Sequence, residues 1–374
     1  VIIEGTPPVN RTTLRAAAPA ALALTLALGL SACGASNEGD SGSGSGDSSL
    51  SGTLNGAGAS SQEAAVGAWK AGFQSANSDV TVNYDPAGSG AGREQFIAGG
   101  VDFAGSDAYL EDDELTKAQE RCGGPVVEVP TYVSPIAVIY NLEGVDELNL
   151  SPENIGAIFE GKITKWNDSA IAADNPDADL PDTTITPVHR SDDSGTTKNF
   201  TAYLEAASGG SWSGGEVETW PIKGGEAAQG TSGVVQAVTN GNGTIGYADE
   251  SQAGDLGQAK VKVGDEFVEV SPEAAAKVLD TATEVEGRDA TDIALDIERD
   301  TTEAGVYPIV LVSYMIGCES YDEAPKADLV KGWLEYVTSD EGQKTAAEQA
   351  GSAPLTADFA SKVAEAVGAI KAAS

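Results

Sequence analysis

The sequence predicts an α/β fold, and two patterns carry that prediction. Short runs rich in β-branched and aromatic residues alternate with segments whose apolar residues recur at helical spacing, from Leu50 to the end of the chain. Turns bearing glycine and hydroxyl residues stand repeatedly between such a strand and the helix after it. With 374 residues and 41% hydrophobic content, the chain is globular and long enough for two domains. No internal repeat is visible.

Taken in order, Leu50–Ala57 reads as a strand and Glu63–Ala76 as a helix with Val66, Trp69 and Phe73 on one face. A strand at Val80–Tyr84, a helix at Arg93–Ala98 and a short strand within Val101–Ala108 follow. Val126–Val129 and Ser134–Tyr140 read as two apolar strands around Pro130, the second a crossing between lobes. Pro152–Phe159 is helical, Asp174–Asp182 a polar loop, Thr184–Val188 a strand and Lys198–Leu204 a helix. Gly224–Gly233 opens another helix, and Thr244–Ala248 is a strand. Helical patterns at Ser271–Leu279 and Asp289–Ile297 precede a continuous apolar strand, Tyr307–Ile316, of the kind found in buried sheets. Lys326–Val337, Asp340–Ala350 and Ala357–Ala372 close the chain as helices.

Three of the turns share one chemistry. In His189–Thr197, Ser194 is an N-cap candidate, Gly195 permits close backbone approach, and the first helical turn leaves N–H groups without intrahelical acceptors. Arg190 adds a planar fork of donors suited to a tetrahedral oxyanion, and Asp192 is near enough to hold it. Alone, this stretch reads more readily as an ordinary capped helix beside a surface ion pair. Similar turns at Gly56–Ser61 and Gly88–Gly92 favour an anion seat, and Asp107, at a strand end, would face the same cleft.

Composition excludes several classes. Against 21 basic residues stand 58 acidic ones, a formal charge of −37, so nucleic acid and anionic lipid are repelled. Screening over about 8 Å still allows a neutral cleft lined with N–H donors to take an anion. The string Gly241–Gly246 fits G-x-G-x-x-G but precedes a strand, so its glycines are turn residues, and no P-loop exists. A hydrolase would hang on His189, the single histidine, without a G-x-S-x-G elbow, and a histidine-based metal site is equally improbable. The acidic pairs Asp112, Asp113 and Asp192, Asp193 read as solvated surface, and Trp69, Trp166, Trp220 and Trp333 as core. No cofactor is expected.

The N-terminal region reads as targeting. Arg11 and Arg15 flank an apolar stretch, Ala16–Leu30, too short for a comfortable membrane span, and the residues before Arg11 read as an over-long start. Leu30, Ser31, Ala32, Cys33 resembles a bacterial lipobox, which makes Cys33 the expected lipidation site and residues 1–32 a lipoprotein signal peptide. Residues 33–49, rich in glycine and serine, would be a flexible tether spanning roughly 20–25 Å. Cys122 and Cys318 remain, an even pair in an oxidising compartment, and are expected to form one disulfide.

Five ordered motifs add a resemblance. Gly-Ala-Gly-Ala-Ser (56–60), Gly-Ser-Gly-Ala-Gly (88–92), Val-Asp-Phe-Ala-Gly-Ser-Asp-Ala (101–108), Ile-Phe-x-Gly-Lys-Ile-x-x-Trp (158–166) and Arg-x-Asp-x-Ser-Gly-Thr (190–196) resemble the phosphate-binding lipoproteins of Pst ABC transporters. The resemblance implies a two-lobed periplasmic-binding-protein fold of type II, with two strand crossings at the hinge and the ligand in the interlobe cleft. Lobe 1 would be 50–133 with 307–374, and lobe 2 would be 134–306. It further implies a monomer, not an enzyme, lipid-anchored on the outer face of the cytoplasmic membrane. Such a protein binds inorganic phosphate and delivers it to a membrane-embedded permease and its ATPase. Carried over by motif, the phosphate shell would be Ser60, Ser61, Ser89, Asp107, Arg190, Ser194, Gly195 and Thr196, with Asp192 orienting Arg190. Ser60 stands where the family often has threonine, and Ser61 where an aromatic is common. Rival readings are a binding protein for another oxyanion (sulfate, molybdate or a phosphate ester) and a surface phosphatase.

Overall fold

The computed structural model describes residues 50–353 and 355–373. The expected signal peptide and tether, with Cys33, lie outside the described residues. Among the described residues no helix is long and apolar enough to cross a membrane.

The chain opens with strand β1 (Gly52–Gly58), helix α1 (Glu63–Ala76), β2 (Val80–Asp85), α2 (Ser89–Ile97) and β3 (Phe103–Ser106). Helix α3 (Asp112–Cys122) follows, then the long β4 (Val126–Asn141). Next come β5 (Asn149–Leu150), α4 (Pro152–Phe159), α5 (Ser169–Asp174), β6 (Thr186–Arg190) and α6 (Gly195–Ala207). The chain continues through β7 (Glu226–Ala228), α7 (Gly230–Asn240), β8 (Thr244–Asp249), β9 (Gly257–Gln258), β10 (Lys260–Val263) and β11 (Glu266–Val268). After α8 (Pro272–Ala276) lie two-residue strands β12 (Thr283–Glu284) and β13 (Leu295–Asp296), then β14 (Val310–Cys318). The last elements are β15 (Ser320–Tyr321), α9 (Ala324–Thr338), α10 (Asp340–Ala350), α11 (Ala357–Gly368) and β16 (Lys371–Ala372).

The main sheet runs in the order β2-β1-β3-β14-β4-β8-β6-β7, with β9 also pairing with β4. Pairing of β1 with β2 and β3, and of β6 with β7 and β8, is parallel, whereas β14 and β4 run antiparallel to their neighbours. Strand β4 joins the two halves. Its residues Val126–Pro135 pair with β14 and its residues Ile136–Asn141 with β8, so one strand of roughly 50 Å serves both. The second crossing lies beside the first, where Ile136 N–H donates to Ile309 O at 2.7 Å and Tyr307 Oη–H donates to Ile136 O at 2.9 Å.

The two strands expected around Pro130 are therefore one. Pro130 has no N–H to give, and β4 absorbs it at a bulge: Ser313 faces Tyr132 and Tyr314 faces Pro130, leaving Thr131 without a partner. The helix expected at Asp289–Ile297 is also absent. Glu128 N–H donates to Thr291 O at 2.9 Å and Ile293 N–H to Glu128 O at 2.8 Å, and this pairing with β4 buries Ile293, Ala294 and Leu295 consecutively. The segment around β12 and β13, expected with lobe 2, consequently bonds to lobe 1, through Gln119 to Asp289 and Arg288 to Leu110 O. Helix α2 begins at Ser89 rather than Arg93, and α11 stops at Gly368 so that β16 can pair with β15. Helix α3 and helix α5, which ends at Asp174 where the polar loop begins, were not expected.

Trp69, Trp166 and Trp333 are fully buried, and Trp333 meets Phe73 and Phe103 at centroid distances of 5.5 and 5.6 Å. Each such ring contributes on the order of 4–6 kcal/mol of gross burial energy. Trp220 is only partly buried and stacks on His189. Cys122 and Cys318 are bonded, tying the end of α3 to the end of β14 across 196 residues. In the chain-entropy account, closing such a loop destabilises the unfolded chain by about 5 kcal/mol.

Where the segment before β13 meets β4, two carboxyls are buried together. Glu128 Oε1 accepts from Leu110 N–H at 2.9 Å, Asp292 Oδ2 accepts from Arg288 at 3.1 Å, and among the described residues Glu128 Oε2 and Asp292 Oδ1 have no hydrogen-bond partner. Burial, reinforced by the neighbouring Asp292 charge, pushes Glu128 well above the usual carboxylate range, and burial raises Asp292. The folded state then holds a proton that the unfolded chain releases, so stability falls as pH rises above the ordinary carboxylate range, by up to about 1.4 kcal/mol per pH unit per proton. Glu128→Gln should flatten that fall between pH 5 and 8 in denaturant melts; slopes equal to the parent's would contradict proton retention at Glu128.

Candidate ligand site between the two halves

Five chain segments deliver the site. The turn from β1 to α1 brings Ser60 and Ser61, the start of α2 brings Ser89, and the residue after β3 is Asp107. The turn from β6 to α6 brings Arg190 to Thr196, and the start of α7 brings Gly230 and Thr231. All eight expected shell residues are buried and converge; Asp192 lies at their edge.

Asp107 is the hub. Its Oδ1 accepts from Ser61 Oγ at 2.6 Å and from Ser313 Oγ, its Oδ2 accepts from Thr196 Oγ1 at 2.9 Å, and its N–H donates to Ser89 Oγ at 3.1 Å. Burial raises the Asp107 carboxyl, and the hydroxyls of Ser313, Ser61 and Thr196, with the Arg190 charge, pull against that rise. Arg190 lays its fork on Asp192, with Nε to Oδ1 at 2.8 Å and Nη2 to Oδ2, while Nη1 points at Thr196 Oγ1 at 3.4 Å. Burial acts against Asp192 ionisation, but the Arg190 fork and the Gly230 N–H outweigh it and hold Asp192 below its usual value. Asp192 thus holds the Arg190 guanidinium with both of its carboxylate oxygens.

Ser194 caps α6 by accepting from Thr197 N–H at 3.1 Å, which leaves the N–H groups of Gly195 and Thr196 in the first turn without intrahelical acceptors. Gly195 is required by space: a Cβ there would stand 2.6 Å from Ser89 Oγ and 2.7 Å from Asp107 Cβ. Gly88, at φ 108°, caps α2 in a conformation that side chains rarely adopt, and a Cβ there would meet Asp192 Oδ2 at 2.6 Å.

Other contacts join the halves. Thr231 N–H donates to Ser60 Oγ at 3.0 Å, Asn199 Nδ2 donates to Asp107 O at 2.7 Å, and Gly90 N–H to Asp193 O at 3.2 Å. Arg93 of α2 pairs with Glu114 at 3.0 Å and, across the cleft, with Glu218 at 2.7 Å. Sequence reading missed Ser313, Thr231, Asn199 and Arg93. Ser313 is a lone small hydroxyl in an apolar strand and Thr231 follows a glycine at a helix start, which are the signals that could have found them.

The Ser61 hydroxyl faces Asp107. His189 has both ring nitrogens within reach of backbone carbonyls, those of Arg190 and Gly224, and no serine hydroxyl is bonded to it. Among the described residues, no group of three or more histidine, cysteine or acidic side chains stands ready to hold a metal ion. The arrangement sets hydroxyl and N–H donors, and a guanidinium held by Asp192, around the Asp107 carboxylate.

Residues 43–341 match the model of a PBP superfamily domain. The chain is 38% identical over 324 residues to the phosphate-binding protein PstS 3 of Mycobacterium tuberculosis, covering 85% of this chain and 86% of that protein. It is 36% identical over 325 residues to PstS 2 of the same organism, covering 85% and 87%. Among solved structures, a periplasmic phosphate-binding protein bound with phosphate (PfluDING) superposes with a TM-score of 0.68 at 21% identity, covering 83% of this chain and 93% of that one. With the two-lobed architecture and its hub at Asp107, these matches place the chain in the PBP superfamily and, within it, in the PstS family of phosphate-binding proteins.

Proposed function

We propose that this protein binds inorganic phosphate outside the cytoplasm and hands it to an ABC permease for import. The observation that carries the reading is Asp107, a buried acceptor ringed by donors. Desolvating an oxyanion is costly, so each oxygen needs a fixed donor; the hydroxyls of Ser60, Ser89 and Ser194, the first-turn N–H groups of α6 at Gly195 and Thr196, and the Arg190 guanidinium supply them. A protonated phosphate offers Asp107 a hydrogen bond, whereas sulfate has no proton and meets only repulsion. The same logic disfavours sulfate as the ligand. In calorimetry, Asp107→Asn should lose much of the preference for phosphate over sulfate, and Arg190→Ala should cost on the order of 3–5 kcal/mol of binding by removing one partner of a buried pair. Unchanged selectivity in the first and a loss below about 1 kcal/mol in the second would refute these roles, and phosphate release from esters would favour a phosphatase.

Residues 50–133 with 307–374 act as one lobe and the body of 134–306 as the other, bending where β4 changes partners and at 306–310. The present cross-cleft bonds, such as Thr196 to Asp107, belong to the closed form of that motion. Small-angle scattering should show a smaller radius with phosphate than without it, and identical profiles would argue against hinge closure.

The mature protein is a monomer tethered to the outer face of the cytoplasmic membrane by lipid on Cys33. The lipobox-like Leu30–Cys33 supports this, and the Cys122–Cys318 bond suits an oxidising compartment. Mass spectrometry of the membrane-extracted protein should find the N-terminal peptide beginning at an acylated Cys33, and Cys33→Ser should release the protein to the aqueous phase.

A further inference from the structure

Within the apolar β14, Ser313 sits at the register shift with β4, where Thr131 drops out of the pairing. A bulge re-aims side chains. Here the result is that Ser313 Oγ reaches Asp107 Oδ1, the same oxygen that Ser61 Oγ meets at 2.6 Å. The two carboxylate oxygens are therefore served from different places. Oδ1 is bonded by Ser61 and Ser313, both on the half that carries Asp107, while Oδ2 is bonded by Thr196 from the opposite half.

Opening the cleft would remove Thr196 and Arg190 from Asp107 but leave Ser61 and Ser313 in place. We propose that Ser313, together with Ser61, is a specificity-determining positioning residue: the pair holds Asp107 as a carboxylate before any ligand arrives and presents Oδ2 as the acceptor for the ligand's proton. This rests on the phosphate reading above. Were Asp107 protonated, it would become a donor and the repulsion that rejects a fully ionised tetraoxo anion would vanish.

The charged and titratable groups facing Asp107 leave this task to hydroxyls. Asp107 is buried, and burial is the largest influence raising its carboxyl. Arg190, from the turn after β6, favours the charge but lies on the moving half; Asp249 at the end of β8 opposes it. Tyr84 of β2 is itself pushed upward, chiefly by burial and next by the Asp107 charge, so it stays neutral. Ser89 of α2 and Asn199 of α6 engage only the Asp107 backbone.

The test is sulfate affinity measured by calorimetry from pH 4.5 to 8.5 on the parent, Ser313→Ala and Ser313→Thr, with Asp107→Asn as reference. Sulfate has no proton to exchange in this range, so its binding reports the state of Asp107. Loss of one hydrogen bond to a charged group should move the onset of sulfate binding in Ser313→Ala upward by about one pH unit, read as roughly tenfold tighter sulfate binding on the sloping part of the profile. Ser313→Thr, which keeps the hydroxyl, should follow the parent, and Asp107→Asn should bind sulfate without this pH dependence. Should Ser313→Ala fail to fold, Ser313→Cys, a weak donor of similar size, carries the same expected upward shift. Coincident profiles for parent and alanine (or cysteine) variant, with phosphate still bound, overturn this inference alone; a parent that binds no phosphate overturns the reading on which it rests.

Discussion

A carboxylate taken out of water has to be met by donors, and Asp107 is the group about which this fold arranges them. Its position at the end of a parallel strand is ordinary for α/β folds, where loops at strand ends form the cleft. Less ordinary is that its contacts come from the turn after β1, α2, α6 and β14 at once, drawing on residues 18 to 206 positions away. Without those donors, burying the group would be unfavourable; with them, the interior can hold it. The glycines follow from this crowding, because backbones that close on a buried carboxylate leave no room for a Cβ at Gly88 or Gly195.

Around that centre the charges are arranged in local pairs. Arg190 is held by Asp192, two residues on, and Arg93 by Glu114 and Glu218, so neither guanidinium is left unpaired on closure. A chain with a formal charge of −37 can therefore present a donor-rich cleft because donors rather than net charge face the ligand. Its acidity belongs to the outer surface, where solvent screens it.

What was legible in the sequence is what short-range chemistry writes. The cap at Ser194, the Arg190–Asp192 fork and the run from Glu63 to Ala76 all depend on neighbours within a few positions, and the structure has them as expected. What was hidden depends on strands meeting from far apart. Ser313 reaches the site only because β14 pairs with β4 and bulges there, and Thr231 meets Ser60 across 171 residues. Pro130 was read as a break because proline removes a ladder donor, yet the bulge places it where that donor is not needed. The spacing of Ile293 and Ile297 imitates a helix, but bonding to Glu128 draws that segment out along β4. Helix α3 is polar almost throughout, so its apolar period is weak; the reciprocal Glu111–Glu114 cap was the sign that remained.

The unbroken course of β4 through both halves sets a rule about chain length. A strand alternates its side chains above and below the sheet, so one residue added between Pro135 and Ile136 would turn every later side chain of that strand to the opposite surface. Ile136, Val138 and Tyr140 would exchange places with Ala137 and Ile139, and two separate buried clusters would each receive the wrong set. The strand thus has no spare slack: evolution cannot lengthen it by a single step without rebuilding the interior on one side.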